Sequence, residues 1–259
     1  MRPPLRRGNC AAGQESRMEQ NTSLASRIRK ELLQELVSGI YQEATRLPPE
    51  VEIAARLGVS RTALRDALAT LEQEGFISRR KGVGTIVNRH VLAVKTRMDL
   101  EEEFLSMVES AGKKAAQDNC TYRETTASPQ EAACLKLPEG APIFEISRLI
   151  TADGEPAIYC VDTFFKDLLL TEDYDPQVLY RPVFEFLETY CGIEVYMDLT
   201  EVRAVEASPE AARQLQVPVG SPLLHMDETG YDFWGRPVLH SMEYYRDRAL
   251  RHTVLRKKI

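Results

Sequence analysis

The chain has 259 residues, enough for two buried cores, with 28% of them charged and a formal net charge of −6. Its five cysteines are scattered, odd in number and free of C-x-x-C spacing, and its four histidines form no H-x-x-x-H pair. A disulfide framework and a zinc ribbon are therefore excluded, no metal or other cofactor is expected, and the reading favours a reducing, cytoplasmic compartment. No apolar run approaches the roughly 18 residues of a membrane span, so no membrane partner is expected.

Residues 1–22 read as a disordered tail: Met1 to Arg17 is basic but has no apolar core of a signal peptide, and Met18 is a second candidate start. An amphipathic helix is expected from Leu24 to Val37, with Ile28, Leu32, Leu33 and Leu36 inward and Gly39 as its stop. Leu47 to Val87 then carries two short helical patterns around Gly58-Val59-Ser60, followed by a basic hairpin. In the second pattern Leu64, Ala67, Leu68 and Leu71 lie between about 240° and 340° when counted at about 100° per residue from Arg61. Arg61, Thr62, Arg65 and Ala69 fall between about 0° and 100° and so project away from the core. Two arginines, a hydroxyl and a methyl on one exposed helix face suit reading of the DNA major groove. Phe76-Ile77 starts a strand, Arg79-Arg80-Lys81-Gly82-Val83-Gly84 turns it, and Thr85-Ile86-Val87 returns it. The pattern is a helix-turn-helix with a basic wing.

This segment resembles the DNA-binding domain of the GntR family of bacterial transcription regulators. The resemblance rests on Leu47-Pro48, Leu57-Gly58-Val59-Ser60-Arg61-Thr62, Leu64-Arg65, Leu71-Glu72, Glu74-Gly75 and Lys81-Gly82-Val83-Gly84-Thr85. It implies that Arg61 and Arg65 contact bases or phosphates, Ser60 and Thr62 phosphates, and Gly82 the minor groove, with Lys81 a further contact on the wing. One position departs from the family pattern. Val51 stands where an arginine usually follows the Glu of the Leu-Pro-x-Glu motif, so one expected DNA contact is missing.

Charge divides unevenly along the chain. Residues 1–95 contain 16 Lys and Arg against 10 Asp and Glu, and the remainder contains 17 against 29. A basic head on an acidic body fits a polyanion-binding module fused to one that should not bind DNA. The expected boundaries are 23–88 for the winged helix, 89–99 for a linker and 100–259 for a second domain, which opens with a helix from about Leu100 to Ser110.

The second domain repeats itself. Residues 127–142 and 207–222 are identical at eight of 16 positions at an offset of 80. Each copy offers a capping Ser, Pro at the first helical position, a short helix, then Pro and Gly leading into a hairpin. The hairpins are expected at Ile143–Ile150 with Pro156–Phe165, and at Leu223–Tyr231 with Pro237–Tyr245. A helix from about Val183 to Tyr190 and a strand around Val195 to Ala204 lie between the copies. Two helix–hairpin units predict one antiparallel sheet with pseudo-two-fold symmetry.

This half resembles the UTRA effector domain, which accompanies the GntR head in the HutC-type subfamily. Leu137-Pro138, Gly140, Pro142, Arg148, Asp153-Gly154, Pro156, Gly192-Ile193, Pro218, Gly220, Pro222-Leu223, Gly235-Arg236-Pro237-Val238 and Tyr245-Arg246 carry the likeness. The resemblance implies an α+β protein: an N-terminal winged helix-turn-helix domain, then a chorismate lyase-like antiparallel sheet with helices that binds a small effector. It also implies a homodimer on double-stranded, palindromic operator DNA, most often a repressor. Ile150 replaces the second arginine of the phosphosugar-sensing pattern, Glu103 aligns near a phosphate-holding serine, and Cys160 aligns with a common Glu. The expected effector is therefore neutral or amine-bearing and not a sugar phosphate. Glu103, Arg148, Tyr159, Cys160, His240 and Tyr245 are its candidate contacts. Arg148 reads equally as a salt-bridged strand arginine, and Glu103 as part of a solvated helix face. An architectural DNA-binding protein with a ligand-free dimerisation domain is the alternative. A lyase-like enzyme is a weaker one, since no G-x-S-x-G elbow, phosphate loop or metal-spaced cluster is present.

Overall fold

The computed structural model describes residues 24–100, 102–171 and 173–257; the expected tail at 1–22 lies outside the described residues. The chain divides into two compact units, the first comprising 24–94 together with 255–257 and the second 95–254.

In the first unit, α1 (Leu24–Ser38), α2 (Glu50–Leu57) and α3 (Arg61–Gln73) precede the hairpin of β1 (Ile77–Arg80) and β2 (Gly84–Val87). Helical spacing puts Ile28, Leu32 and Leu36 of α1, Ile53 and Ala54 of α2, and Leu64, Ala67, Leu68 and Leu71 of α3 in one core. Each fully buried Leu or Ile there contributes about 1.5–3 kcal/mol. Helix α2 ends where Gly58 takes φ 65°, a left-handed turn that suits glycine. The Ser60 hydroxyl then caps α3 by accepting from the Ala63 amide at 3.2 Å.

The first unit extends further than the sequence indicated. Arg89, expected in a linker, opens the helical turn α4 (Arg89–Leu92). Its guanidinium donates to the carbonyls of Leu36 (2.6 Å) and Ala44 (3.0 and 2.8 Å), at the end of α1 and in the following turn, and adds a second donor to the Tyr41 carbonyl. Residues 255–257, expected in the second domain, belong to this unit, where Lys257 Nζ donates to the Glu72 and Gln73 carbonyls at the end of α3.

The second unit contains α5 (Phe104–Ser110), β3 (Ala115–Thr126), α6 (Pro129–Leu135), β4 (Pro142–Ala152), β5 (Glu155–Phe165), α7 (Val183–Phe186), β6 (Met197–Glu206), α8 (Pro209–Leu215), β7 (Pro222–Tyr231) and β8 (Pro237–Arg246). Its sheet is antiparallel with strand order β3-β4-β5-β8-β7-β6, so the two repeated hairpins meet at β5 and β8. The repeat is mirrored in backbone geometry. Ser128 and Ser208 cap α6 and α8 with φ −64° and ψ 163° in both copies, and Lys136 and Gln216 end those helices at φ 52°. Asp153 (φ 56°) and Gly154 (φ 84°) close the first hairpin with two left-handed residues, the two-residue turn that matches strand twist.

Helices α6 and α8 cover one face of the sheet, where Leu149, Tyr159 and Val161 pack with Ala207, Ala211, Ala212 and Leu215. The other face is covered near β4 and β5 by 176–191, whose Leu179, Val183, Phe186 and Leu187 enclose Phe144, Ile146 and Phe164. Met107 and Val108 of α5 cover Ile150, Ile158, Met226 and Tyr245 on this same face. Helix α7 continues past Phe186 as one wider π-turn, Leu187–Cys191, ended by Gly192 at φ 65°.

Candidate functional site

On α3, Arg61, Thr62 and Arg65 are exposed, while the opposite stripe is buried. Arg65 stands 3.9 Å from Glu50 across open solvent, a contact too weak to hold it away from another partner. The wing pairs Arg79 with Thr85 and Arg80 with Gly84, leaving Lys81, Gly82 and Val83 at its tip. Gly82 has φ 80° and open space around it, so at that position only backbone faces outward, between the side chains of Lys81 and Val83. Wing arginines are not equivalent: Arg79 is tied to Glu72 at 2.8 Å, whereas Arg80 is exposed. Arg46 bridges to Ile86 beside the wing and is exposed, making it a basic residue at this surface that sequence reasoning missed. Its only signal was a position one residue before Leu47-Pro48. Val51, in the place of the usual arginine, is 55% exposed.

In the second unit, cross-strand register gathers charged groups on the face opposite α6 and α8. Arg148 pairs with Cys160, which pairs with Glu243; Asp162 pairs with Ser241, which pairs with Glu228. Residues directly opposite one another share a face. All of these but Cys160 floor a cleft whose walls come from Glu102 to Leu105, Gln117 and Tyr180 to Phe184.

Arg148 is an internal strut. It is 3% exposed and ion-paired with Asp162, and it donates from Nε to the Leu179 carbonyl (3.3 Å) and from Nη2 to the Arg181 carbonyl (3.4 Å). The other Asp162 oxygen accepts from Ser241 Oγ at 2.7 Å. Glu103 stands at the mouth of the cleft and remains exposed on one side; partial loss of water and the charge of Glu185, opposed by Arg148, push its carboxyl up to about 7. Glu228 accepts from the Thr200 hydroxyl at 2.8 Å, and burial raises its pKa as well.

The other expected contacts are dispersed. Cys160 lies on the cleft face but is fully buried beneath it, and burial holds its thiol well above the usual range. Tyr245 is buried in an adjoining recess that shares Glu102, Phe104, Glu228 and Glu243 with the cleft, and its hydroxyl donates to Glu243. Tyr159 and His240, expected at the effector cavity, are on the opposite face because strand alternation reverses successive side chains. Tyr159 packs against α8. His240 is 1% exposed and lies 2.9 Å from Asp227. With Cys134 these two place a sulfur, an imidazole nitrogen and a carboxylate oxygen within 4.8 Å of one another, a donor set that sequence spacing did not reveal. Asp227 also accepts from Arg203 at 3.0 Å. Asp162, Glu228 and Glu243 were the residues missed. Their signal was a lone interior acid in the largely apolar strands β5 and β8, and the adjacent pair Asp227-Glu228 in β7.

A capped helix with an exposed basic face, a basic wing, and a separate sheet domain with a polar cleft define a DNA-binding regulator joined to a ligand-binding module. Residues 24–87 match the pattern of "Bacterial regulatory proteins, gntR family", and residues 110–251 match the UTRA domain. The chain belongs to the GntR family and carries a UTRA domain; it is a transcription regulator of that kind. It is 24% identical over 236 residues to the probable fructoselysine utilization operon transcriptional repressor of Escherichia coli K12, covering 91% of this chain and 95% of that one. To the probable transcriptional regulator PhnF of the same organism it is 28% identical, covering 78% and 80%. The possible transcriptional regulator YydK of Bacillus subtilis shares the fold at a TM-score of 0.71 and 17% identity, covering 91% of this chain and all of that one. No helix among the described residues is long and apolar enough to cross a membrane.

Proposed function

We propose that this regulator is a homodimeric repressor that binds palindromic operator DNA through α3 and the wing and changes its affinity when a small effector enters the UTRA cleft. The observation that carries the DNA half is the exposed row Arg61, Thr62, Arg65 on a helix whose other face is locked in the core. Ser60 at the helix start, Lys81 and Gly82 on the wing complete the contact set; Arg46 and Arg80 extend it. Such a surface supplies phosphate contacts for register and long side chains for base edges. A single winged helix binds weakly, so two of them about one helical turn apart supply the affinity a palindrome requires. Strand β6 supports self-association: this open sheet edge exposes Met197 and Leu199 on one face and Val202 on the other, and exposed apolar residues along an unpaired edge suit an interaction surface.

The test is an operator-selection experiment with the full-length protein, followed by gel-shift titration with and without effector candidates that raise its melting temperature. Sequence-selective binding that a stabilising ligand alters is the expected result. Selective binding that no ligand alters would favour an architectural role with a ligand-free dimerisation domain.

A further inference from the structure

Among the described residues, the lining of the UTRA cleft carries five carboxylates, Glu102, Glu103, Asp162, Glu228 and Glu243, against two guanidiniums, Arg148 and Arg181. The two arginines differ in what they can offer an anion. Arg148 spends its donors on Asp162 and on the carbonyls of Leu179 and Arg181. Arg181 is 71% exposed in its side chain and leans toward Glu185 at 4.0 Å. Asp162 is neutralised by Arg148, which leaves the glutamates to dominate the field in the cleft. A phosphate dianion entering it would exchange its water for one solvent-exposed guanidinium, Arg181, and would face the like charge of the glutamates.

A second observation gives the ligand another feature. The side-chain Nε2 of Gln117, also in the lining, is buried without a hydrogen-bond acceptor. A buried amide donor left unmade costs about 1–3 kcal/mol, which a ligand oxygen would recover. Phe104, Leu105, Ile150, Val183 and Phe184 provide the apolar wall against which a carbon skeleton would lie.

We propose that the effector is a small organic amine bearing an accepting oxygen, with its ammonium held by Glu103 and Glu228 and its oxygen received by Gln117. This rests on the effector-binding reading above and narrows it to one chemical class.

Matched compound sets test it on the full-length protein. Each set holds an oxygen-bearing amine, its phosphate ester and its uncharged counterpart: ethanolamine, phosphoethanolamine and ethylene glycol; glucosamine, its phosphate and glucose. Agmatine and lysinamide extend the amine arm. Thermal stabilisation is measured first, then calorimetry on the hits, then operator gel shift. Amines alone should stabilise the protein and shift operator affinity. Their binding should weaken at least tenfold in Glu103→Gln and in Glu228→Gln, both judged folded by an intact melting transition. Weakening in Gln117→Leu should be confined to amines with an oxygen. If phosphate esters or uncharged compounds alter operator binding while amines do not, the cation assignment falls and the effector reading survives. Amine binding unchanged in both glutamate variants, or no stabilisation by any amine, also overturns the assignment. If no compound of any class shifts operator affinity, it is the effector reading that fails.

Discussion

Arg148 and Asp162 are each at most 3% exposed, so removing one leaves the other charged group buried without a counter-charge. Arg148→Met should therefore cost about 3–5 kcal/mol in urea unfolding, whereas Arg148→Met with Asp162→Leu should lose less than the single change. Arg61 and Arg65 use the same guanidinium on an exposed surface, where nothing in the fold depends on it. Arg61→Ala and Arg65→Ala should each weaken operator binding by about 1–3 kcal/mol in a gel-shift titration while leaving the melting temperature unchanged. Unchanged affinity in both variants would end their assignment as DNA contacts. Glu103 connects the residue scale to pH. Its folded carboxyl titrates near 7, above its ordinary value of 4.5, so the folded state binds the proton more tightly than the unfolded chain does. That contribution to stability is complete below about pH 4.5 and is lost as pH rises through about 7. Glu103→Gln should flatten this part of the stability profile. Amine affinity, which needs the ionised carboxyl, should rise between about pH 6 and pH 8 in the parent protein and rise less in the variant, where Glu228 alone still titrates.

At the scale of elements, the repeated α6–β4–β5 and α8–β7–β8 units differ in one cap. Ser128 accepts from the Glu131 amide while the Glu131 carboxylate accepts from the Ser128 amide at 2.8 Å; Ser208 accepts from Ala211 with no reciprocal bond. Each Ser→Ala change should lower stability by about 1 kcal/mol, and in Ser128→Ala the backbone amide of residue 128 still donates to the Glu131 carboxylate, so Glu131→Ala is the change that removes the reciprocal bond. Chemical denaturation of these variants gives the comparison, and a Glu131→Ala protein as stable as the parent would show that the Glu131 bond adds nothing. Strand β3 is the element whose sequence concealed it. Ala115 to Thr126 reads as a polar run because β3 is an outer strand of the sheet and most of its side chains are exposed, so little apolar alternation was required of it. The reach of the first unit was hidden for a different reason. Arg89 and Lys257 attach through backbone carbonyls, and a carbonyl leaves no mark in the sequence.

For the whole molecule, the charge division sets the binding regime. A head with six excess basic residues attracts DNA over a Debye length, and the acidic remainder limits nonspecific retention. Operator affinity should fall steeply with salt. Lys81→Ala should weaken binding to all sequences alike and reduce the double-logarithmic salt slope by about 1, as expected for a phosphate contact. Sedimentation of the full-length protein should give a dimer, and Leu199→Glu on the exposed edge strand should shift it toward monomer. A dimer indifferent to this charge would place the interface elsewhere.

The sequence determined the recognition helix, the wing, the internal repeat and the family by itself, because each depends on local periodicity, caps and turns within a few dozen residues. Helical spacing alone separated Arg61 and Arg65 from Leu64 and Leu68. The cleft was decided only by tertiary structure. Whether Arg148 met a ligand or a carboxylate depended on Asp162 on the next strand, and whether Tyr159 and His240 faced the cavity depended on strand register. Register is a property of paired strands, and a shift of one residue exchanges the two faces, so linear spacing could nominate these side chains without assigning them to a face.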